Sequence, residues 1–380
     1  MNKSLKIFVD AHCFDNEYQG SRTFLKGIYT VLSHYSEVEI FMGAYDTQHL
    51  RCEFPDVPVN HFFQYRSQRP LLRLVRDIPG ILRQHVFDFA HFQYVSPIVK
   101  WCKYIVTTHD LLFIERKKDF PWSYRLPRYP LFKYCCRNAD IRTAPSVFSR
   151  NSISKYYHIH ADKITVIPNG VNTEFFERKI SKDQAVEFIW KGYQIKNFIL
   201  YVSRIEPRKN HASLLQLYME MQLYKKDISI VFIGKESIKD PALQTIVRNM
   251  PENISRYIRH FHQISSGELP WFYRAAKLVV YPSLAEGFGI PPLEAAAMET
   301  PVLCSNTTAM ADFQFLGDQL FDPENKQEFQ KKLGEMLSRT SEKEHLQELA
   351  KTIYQKYSWE KSGSTLLGYM KKALPLNIIT

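Results

Sequence analysis

The chain has no Cys-x-x-Cys pair and no Asp-x-Asp anywhere in its 380 residues. Its six cysteines, Cys13, Cys52, Cys102, Cys135, Cys136 and Cys304, show no metal-ligand or redox spacing, and the adjacent Cys135 and Cys136 point apart on a helix. They read as reduced thiols in a core setting. His158-x-His160 and His260-x-His262 have no partnering cysteine or carboxylate motif, so no metal is expected there. Also missing are a low-complexity tract, a repeat of roughly 20 to 50 residues, and an apolar run of membrane-spanning length. The first ten residues lack a secretory-type apolar stretch, so the expected location is the cytoplasm.

What is present is alternation. Short apolar runs at 5–10, 38–42, 104–108, 141–144, 198–203, 228–233, 257–261, 278–281 and 301–304 are separated by helix-like stretches. That is the βα pattern of parallel sheets covered by helices. The length exceeds one ordinary core and fits two domains of roughly 150 to 200 residues. The expected fold class is therefore α/β, with two doubly wound Rossmann-like sheets and a cleft between them. Two polar helices follow the second sheet, at about 326–337 and 341–356.

The stretch that carries most chemistry is Tyr281-Pro-Ser-Leu-Ala-Glu-Gly-Phe-Gly-Ile-Pro-Pro-Leu-Glu294. A strand runs into a glycine-bearing turn and a helix opening at Pro291-Pro292, so backbone amides converge on a phosphate-sized spot. Glu286 lies in the turn and Glu294 is expected in the first helical turn. Two carboxylates beside an anion site call for hydrogen-bond donors, and sugar hydroxyls suit that need. Upstream, Phe198-Ile-Leu-Tyr-Val-Ser203 reads as a second buried strand, followed by Arg204-Ile-Glu-Pro-Arg-Lys-Asn210. Arg204, Lys209 and Glu286 thus leave the carboxyl ends of parallel strands, where such sheets bind ligands.

These residues resemble the retaining family 4 glycosyltransferases of GT-B architecture. The resemblance implies that Arg204 and Lys209 clamp a nucleotide diphosphate and that Glu294 holds the ribose. It also implies that Glu286 and the turn at Gly287, Phe288, Gly289 and Ile290 hold the donor sugar, with base contacts near Gly234 and Ile264. Weaker matches run in order through the first half. Gly20-Ser-Arg-Thr stands where the family has a glycine-rich loop, with Arg22 either supplying charge or sitting on the surface. His109-Asp110 follows a strand as the family's His-Asp does, and the resemblance implies that His109 lies against the donor sugar. The segments Thr143-Ala-Pro-Ser146-Val-Phe-Ser149 and Ile164-Thr-Val-Ile-Pro-Asn169-Gly170-Val171 also resemble the family's. In the family the segment at Trp359 crosses back, giving domains at 1–175 with the last helix at about 359–380, and at 176–358. The implied reaction moves a hexose, with retention, to a glycan or polyprenyl-linked acceptor, as in bacterial lipopolysaccharide-type surface polysaccharides, without a metal or other cofactor. The form Gly-Phe-Gly-Ile-Pro-Pro-Leu-Glu slightly favours GDP-mannose over a UDP-hexose. The alternatives are a UDP-hexose-dependent transferase with a soluble acceptor, or a non-catalytic sugar-nucleotide-binding subunit.

Net charge is +11. Nucleic acid is not the expected partner, because no recognition motif is present and the aromatics are scattered through apparent strands. Residues 51–163 hold 19 basic and 9 acidic side chains. Within them Arg66, Arg69, Arg73, Arg76 and Arg83 fall at helical spacing, with Pro79-Gly80 expected to split the stretch into two short helices. One reading is a stripe that docks peripherally on anionic lipid at the inner face of the membrane. The other is an ordinary amphipathic helix with solvated arginines.

Overall fold

The computed structural model describes residues 4–15, 20–177, 179–339 and 343–374. The chain divides into two compact units, Met1–Gly170 with Tyr357–Thr380, and Val171–Lys356. Ser341, at the expected start of a polar helix, and the expected end of the last helix beyond 374 lie outside the described residues.

The first unit holds seven parallel strands: β1 Leu5–Asp10, β2 Val38–Ala44, β3 Phe62–Gln64, β4 Phe89–Gln93, β5 Lys103–Thr107, β6 Ile141–Ala144 and β7 Thr165–Val166, in the order β3-β2-β1-β4-β5-β6-β7. The second holds six: β8 Phe198–Val202, β9 Ser229–Ile233, β10 Ile258–Phe261, β11 Leu278–Tyr281, β12 Val302–Ser305 and β13 Leu320–Phe321, in the order β10-β9-β8-β11-β12-β13. Every named pairing is parallel. Strand order reverses between β1 and β4 in one sheet and between β8 and β11 in the other, and the carboxyl ends at such a reversal form a crevice. β3, β4, β7 and β13 fall outside the runs read from the pattern. Three of them are only two or three residues long, and β4 carries His91 and Gln93 inside a fully buried strand.

Period-two alternation assigns the faces of the first sheet. Ile7 and Val9 of β1 join the cluster of Phe24, Ile28 and Trp359, while Phe8 joins Phe92, Tyr104, Ile78 and Leu82 on the other side. The last helix, Trp359–Ala373, is capped by Ser358, whose side chain accepts from the Lys361 amide. Trp359, Ser362, Gly363, Leu366, Leu367 and Met370 recur every three or four residues and bury one face of it. The Trp359 indole lies against Gly27 and Gly170, and a Cβ at either position would overlap it. Ser362 ties the helix to the Pro168 carbonyl at 2.7 Å.

The arginine stripe comes out differently from either reading. Residues 70–84 form one helical run, not two, because a π-helical turn at Arg73–Asp77 lets the Ile78 amide reach back to the Arg73 carbonyl just before Pro79. The wide turn absorbs the proline's missing donor. Arg73, the first residue of that turn, is buried with its Nε 3.5 Å from Asp10 Oδ2. Burial alone would raise the Asp10 carboxyl, but Arg73 and His12 hold it well below the usual carboxylate range. Only Arg66, Arg69, Arg76 and Arg83 remain exposed, so the five do not share one face. Four cysteines, Cys13, Cys135, Cys136 and Cys304, are buried free thiols, whereas Cys52 is exposed, against the core setting expected of it. Among the described residues no helix is long and apolar enough to cross a membrane.

Candidate functional site

In the second unit the β8 and β11 loops are laced together at the strand-order reversal. Pro207 opens a 3-10 turn to Lys209, and Asn210 takes a left-handed conformation (φ 59°), so the helix His211–Glu220 starts at once. The Asn210 amide group donates to the Pro282 carbonyl at 3.2 Å, and the Leu284 amide donates to the Arg208 carbonyl at 2.8 Å. This turn delivers two cations to one carboxylate. Lys209 Nζ forms an ion pair with Glu286 Oε1, and Arg208 Nη1 reaches Oε2 at 3.2 Å. Tyr281 and Ser283 hydroxyls add donors to Oε1 at 2.9 and 2.7 Å, and the Glu286 amide donates to Thr308 Oγ1 at 2.8 Å. Burial would raise the Glu286 carboxyl, but Lys209 and Arg208 outweigh it and hold it at about 2.

The expectation that sugar hydroxyls supply the donors for Glu286 meets a different arrangement, since the protein's own side chains already do so. Lys209 and Glu286 come together. Arg204 does not join them; it is exposed at the end of β8. The neighbour Arg208 takes the place beside Glu286 and also pairs with Glu206 at 2.6 Å. Glu294 falls just past the first turn of its helix, not in it as expected, because Ile290–Ala297 begins at Ile290, one residue before Pro291-Pro292. The prolines contribute no N–H, so the amides this helix start can present are those of Gly289 and Ile290. Gly289 has φ 95°, a conformation that favours glycine. Phe288 is buried near Phe313, and Gly287 lies in the same turn. Glu294 accepts from the Tyr273 hydroxyl at 2.7 Å, and burial pushes its carboxyl up to about 7. Gly234 and Ile264 follow β9 and β10 on the same carboxyl edge. A side chain on Gly234 would collide with the Ser203 carbonyl, and its own carbonyl lies 2.7 Å from His260 Nε2.

In the first unit, His109 follows β5. Its Nε2 lies 2.6 Å from Gln93 Oε1, an atom that only accepts, so Nε2 carries the proton and Nδ1 is left as an acceptor. Burial lowers the ring to about 4, so it is neutral near pH 7. Phe24 and Tyr94 stand against it at 5.3 and 5.6 Å, and the Ser149 hydroxyl holds its carbonyl at 2.8 Å. Behind Gln93, buried His91 is fixed between the Tyr29 hydroxyl at 2.6 Å and Thr107 Oγ1 at 2.7 Å. Gly20 opens the helix Gly20–Ser33 with open space where a Cβ would stand. Arg22, two residues on, is engaged with Glu53 at 2.7 Å. No motif assigns a role to Arg208, Tyr281, Ser283, Tyr273 or Gln93. The sequence carries a signal for Arg208, as the other cation of Arg208-Lys209, and none for Gln93, because polar residues interrupt the apolar run of β4.

Two family models match this chain in sequence. The one described as Glycosyltransferase Family 4 matches residues 34–175, and the one described as Glycosyl transferases group 1 matches 184–355. The chain belongs to the family 4 glycosyltransferases. It is 31% identical over 181 residues to the O-antigen chain mannosyltransferase B of Escherichia coli, covering 46% of this chain and 45% of that one. It is 28% identical over 227 residues to the O-antigen chain mannosyltransferase RfbU of Salmonella typhimurium, covering 59% of this chain and 58% of the relative. The chain thus spans about half the length of these curated relatives. Among solved structures, a glycosyltransferase from Rickettsia africae superposes with a TM-score of 0.74 at 18% identity, over 99% of this chain and 100% of that one. The two Rossmann-like sheets of this family 4 glycosyltransferase are those of the GT-B fold, and its Lys209–Glu286 pair lies within the part matched by the group 1 model.

Proposed function

We propose that this chain transfers a hexosyl group, mannosyl from GDP-mannose in preference to a UDP-hexose, to a glycan or lipid-linked acceptor in surface polysaccharide synthesis, with retention at the anomeric carbon. The observation that carries the reading is the cationic turn Arg208-Lys209 closed on Glu286 at the carboxyl edge of the second sheet. The mannosyl preference is supported by two relatives named as O-antigen chain mannosyltransferases.

In this reaction the bond between the anomeric carbon and the diphosphate breaks, and a bond to the acceptor oxygen forms on the same face. The acceptor proton goes to the leaving phosphate. Negative charge grows on that phosphate, and preorganised cations and amides stabilise it without reorganisation. Lys209, fixed by Glu286, and exposed Arg204 supply the cations, while Gly289 and Ile290 supply amides. Glu294 serves the ribose, and neutral His109 offers Nδ1 to a sugar hydroxyl.

Arg204→Ala is expected to lower kcat by roughly 100-fold with little change in stability, because its side chain is exposed. Glu294→Gln is expected chiefly to weaken nucleotide binding. Steady-state kinetics on both variants check this, and near wild-type kcat in Arg204→Ala removes Arg204 from the clamp. Activity is also expected to survive chelation, since the chain has no Asp-x-Asp; complete loss in EDTA with recovery on adding Mg2+ or Mn2+ contradicts that. The donor is identified by the nucleotide sugar that raises the melting temperature and is consumed.

A further inference from the structure

Polar side chains of His91, Gln93, Thr107 and Thr143 share one face of the first sheet. His91 and Gln93 are two apart on β4, and the register sets Gln93 opposite Thr107 of β5 and Thr107 opposite Thr143 of β6. All are buried, so their hydrogen bonds must be made within the protein. The direction of each bond follows from one rule: an amide nitrogen only donates. Gln93 Nε2 lies 3.4 Å from His91 Nε2, which must therefore be bare there, and the Thr107 hydroxyl donates to the same nitrogen at 2.7 Å. The Thr143 hydroxyl then donates to Thr107 Oγ1 at 2.6 Å, and the His91 proton sits on Nδ1, 2.6 Å from the Tyr29 oxygen. With its nitrogen committed to His91, Gln93 has only Oε1 to offer His109 Nε2, at 2.6 Å. Turning the amide round would require both histidines to change tautomer together.

We propose that Gln93, backed by His91, is a positioning residue that keeps the His109 proton on Nε2 and so presents Nδ1 to a substrate hydroxyl. The role rests on the hexosyl transfer proposed above. His109 is itself only partly buried, and its tautomer decides whether the ring asks a substrate for a donor or for an acceptor. The buried face of the sheet makes that choice before any substrate arrives. The titratable groups around the pair keep their protonation state near neutral pH. Burial holds the His91 ring at about 3 and raises the hydroxyls of Tyr29 and Tyr94, while Asp110, next in the chain, accepts from the Leu112 amide at 3.1 Å. A change in pH response on replacing Gln93 therefore reports on His109.

The test combines two-bond proton–nitrogen NMR spectra of the histidine side chains with steady-state kinetics on wild type, Gln93→Leu and Gln93→Glu. The His109 signals are assigned by their loss in His109→Gln. Wild type near neutral pH should carry the proton on Nε2. Gln93→Leu should move it to Nδ1 and lower kcat/KM by roughly 10- to 100-fold, the worth of one buried hydrogen bond. Gln93→Glu, nearly isosteric, keeps an acceptor beside Nε2, so the tautomer should stay and activity at high pH should exceed that of Gln93→Leu. Its carboxylate also favours the imidazolium, so the acid limb of kcat/KM, set in wild type by a ring held at about 4, should move up by about one pH unit or more. This second variant decides the matter even if Gln93→Leu does not fold. The proposal is overturned if wild-type His109 carries its proton on Nδ1, if folded Gln93→Leu keeps the wild-type tautomer or kcat/KM, or if the acid limb of Gln93→Glu stays where it is. The spectra need no substrate, so wild-type protein that consumes no nucleotide sugar counts against the proposed transfer, and the tautomers still judge Gln93.

Discussion

Lys209→Ala should lower kcat by about 100-fold or more and destabilise the chain by about 3 kcal/mol, because it leaves Glu286 buried with half its charge compensation gone. The two effects separate in a double variant. Lys209→Met with Glu286→Gln removes both charges, so stability should largely return while turnover stays low. Chemical denaturation and steady-state kinetics on the single and double variants check both arms. A pH dependence follows with a definite sign. The Glu286 carboxyl falls from an ordinary 4.5 to about 2 on folding, so its contribution to stability is present above about pH 4.5 and is lost as pH drops toward 2. In Lys209→Met that acid sensitivity should shrink.

Trp359→Ala should cost about 3–5 kcal/mol, the range for deleting a buried tryptophan. The indole fills the space left by Gly27 and Gly170 and lies 6.4 Å from the Phe24 ring, which in turn faces His109. The cavity therefore opens in the core cluster of the first unit. Thermal melting measures the loss. Gly27→Val tests the same contact from the other side and should cost about 1–3 kcal/mol by overpacking. Neither change touches the Lys209–Glu286 loops, so nucleotide affinity of the folded protein should hold.

The sequence announced the parallel sheets, and the runs at 198–203 and 278–281 located both strands whose loops carry Lys209 and Glu286. What it hid has identifiable causes. β4 reads poorly because His91 and Gln93 interrupt its apolar run, yet both are buried and polar for a purpose: they partner Tyr29, Thr107 and His109. The choice between Arg204 and Arg208 beside Glu286 turns on a 3-10 turn started by Pro207, a three-residue event that spacing alone does not specify. The five arginines fall out of line because Arg66 and Arg69 precede the helical run that starts at Pro70, and because the π turn at Arg73–Asp77 ahead of Pro79 departs from the ordinary period on which a helical wheel is drawn.

The most direct test of the central claim is time-resolved proton NMR of the wild-type protein and Lys209→Ala with GDP-mannose and, separately, a UDP-hexose. The account predicts that one donor, GDP-mannose first, is consumed by the wild type with the α-anomer appearing before mutarotation, and that Lys209→Ala consumes it at least about 100-fold more slowly. Consumption of neither donor, first appearance of the β-anomer, or an undiminished rate in Lys209→Ala would contradict it.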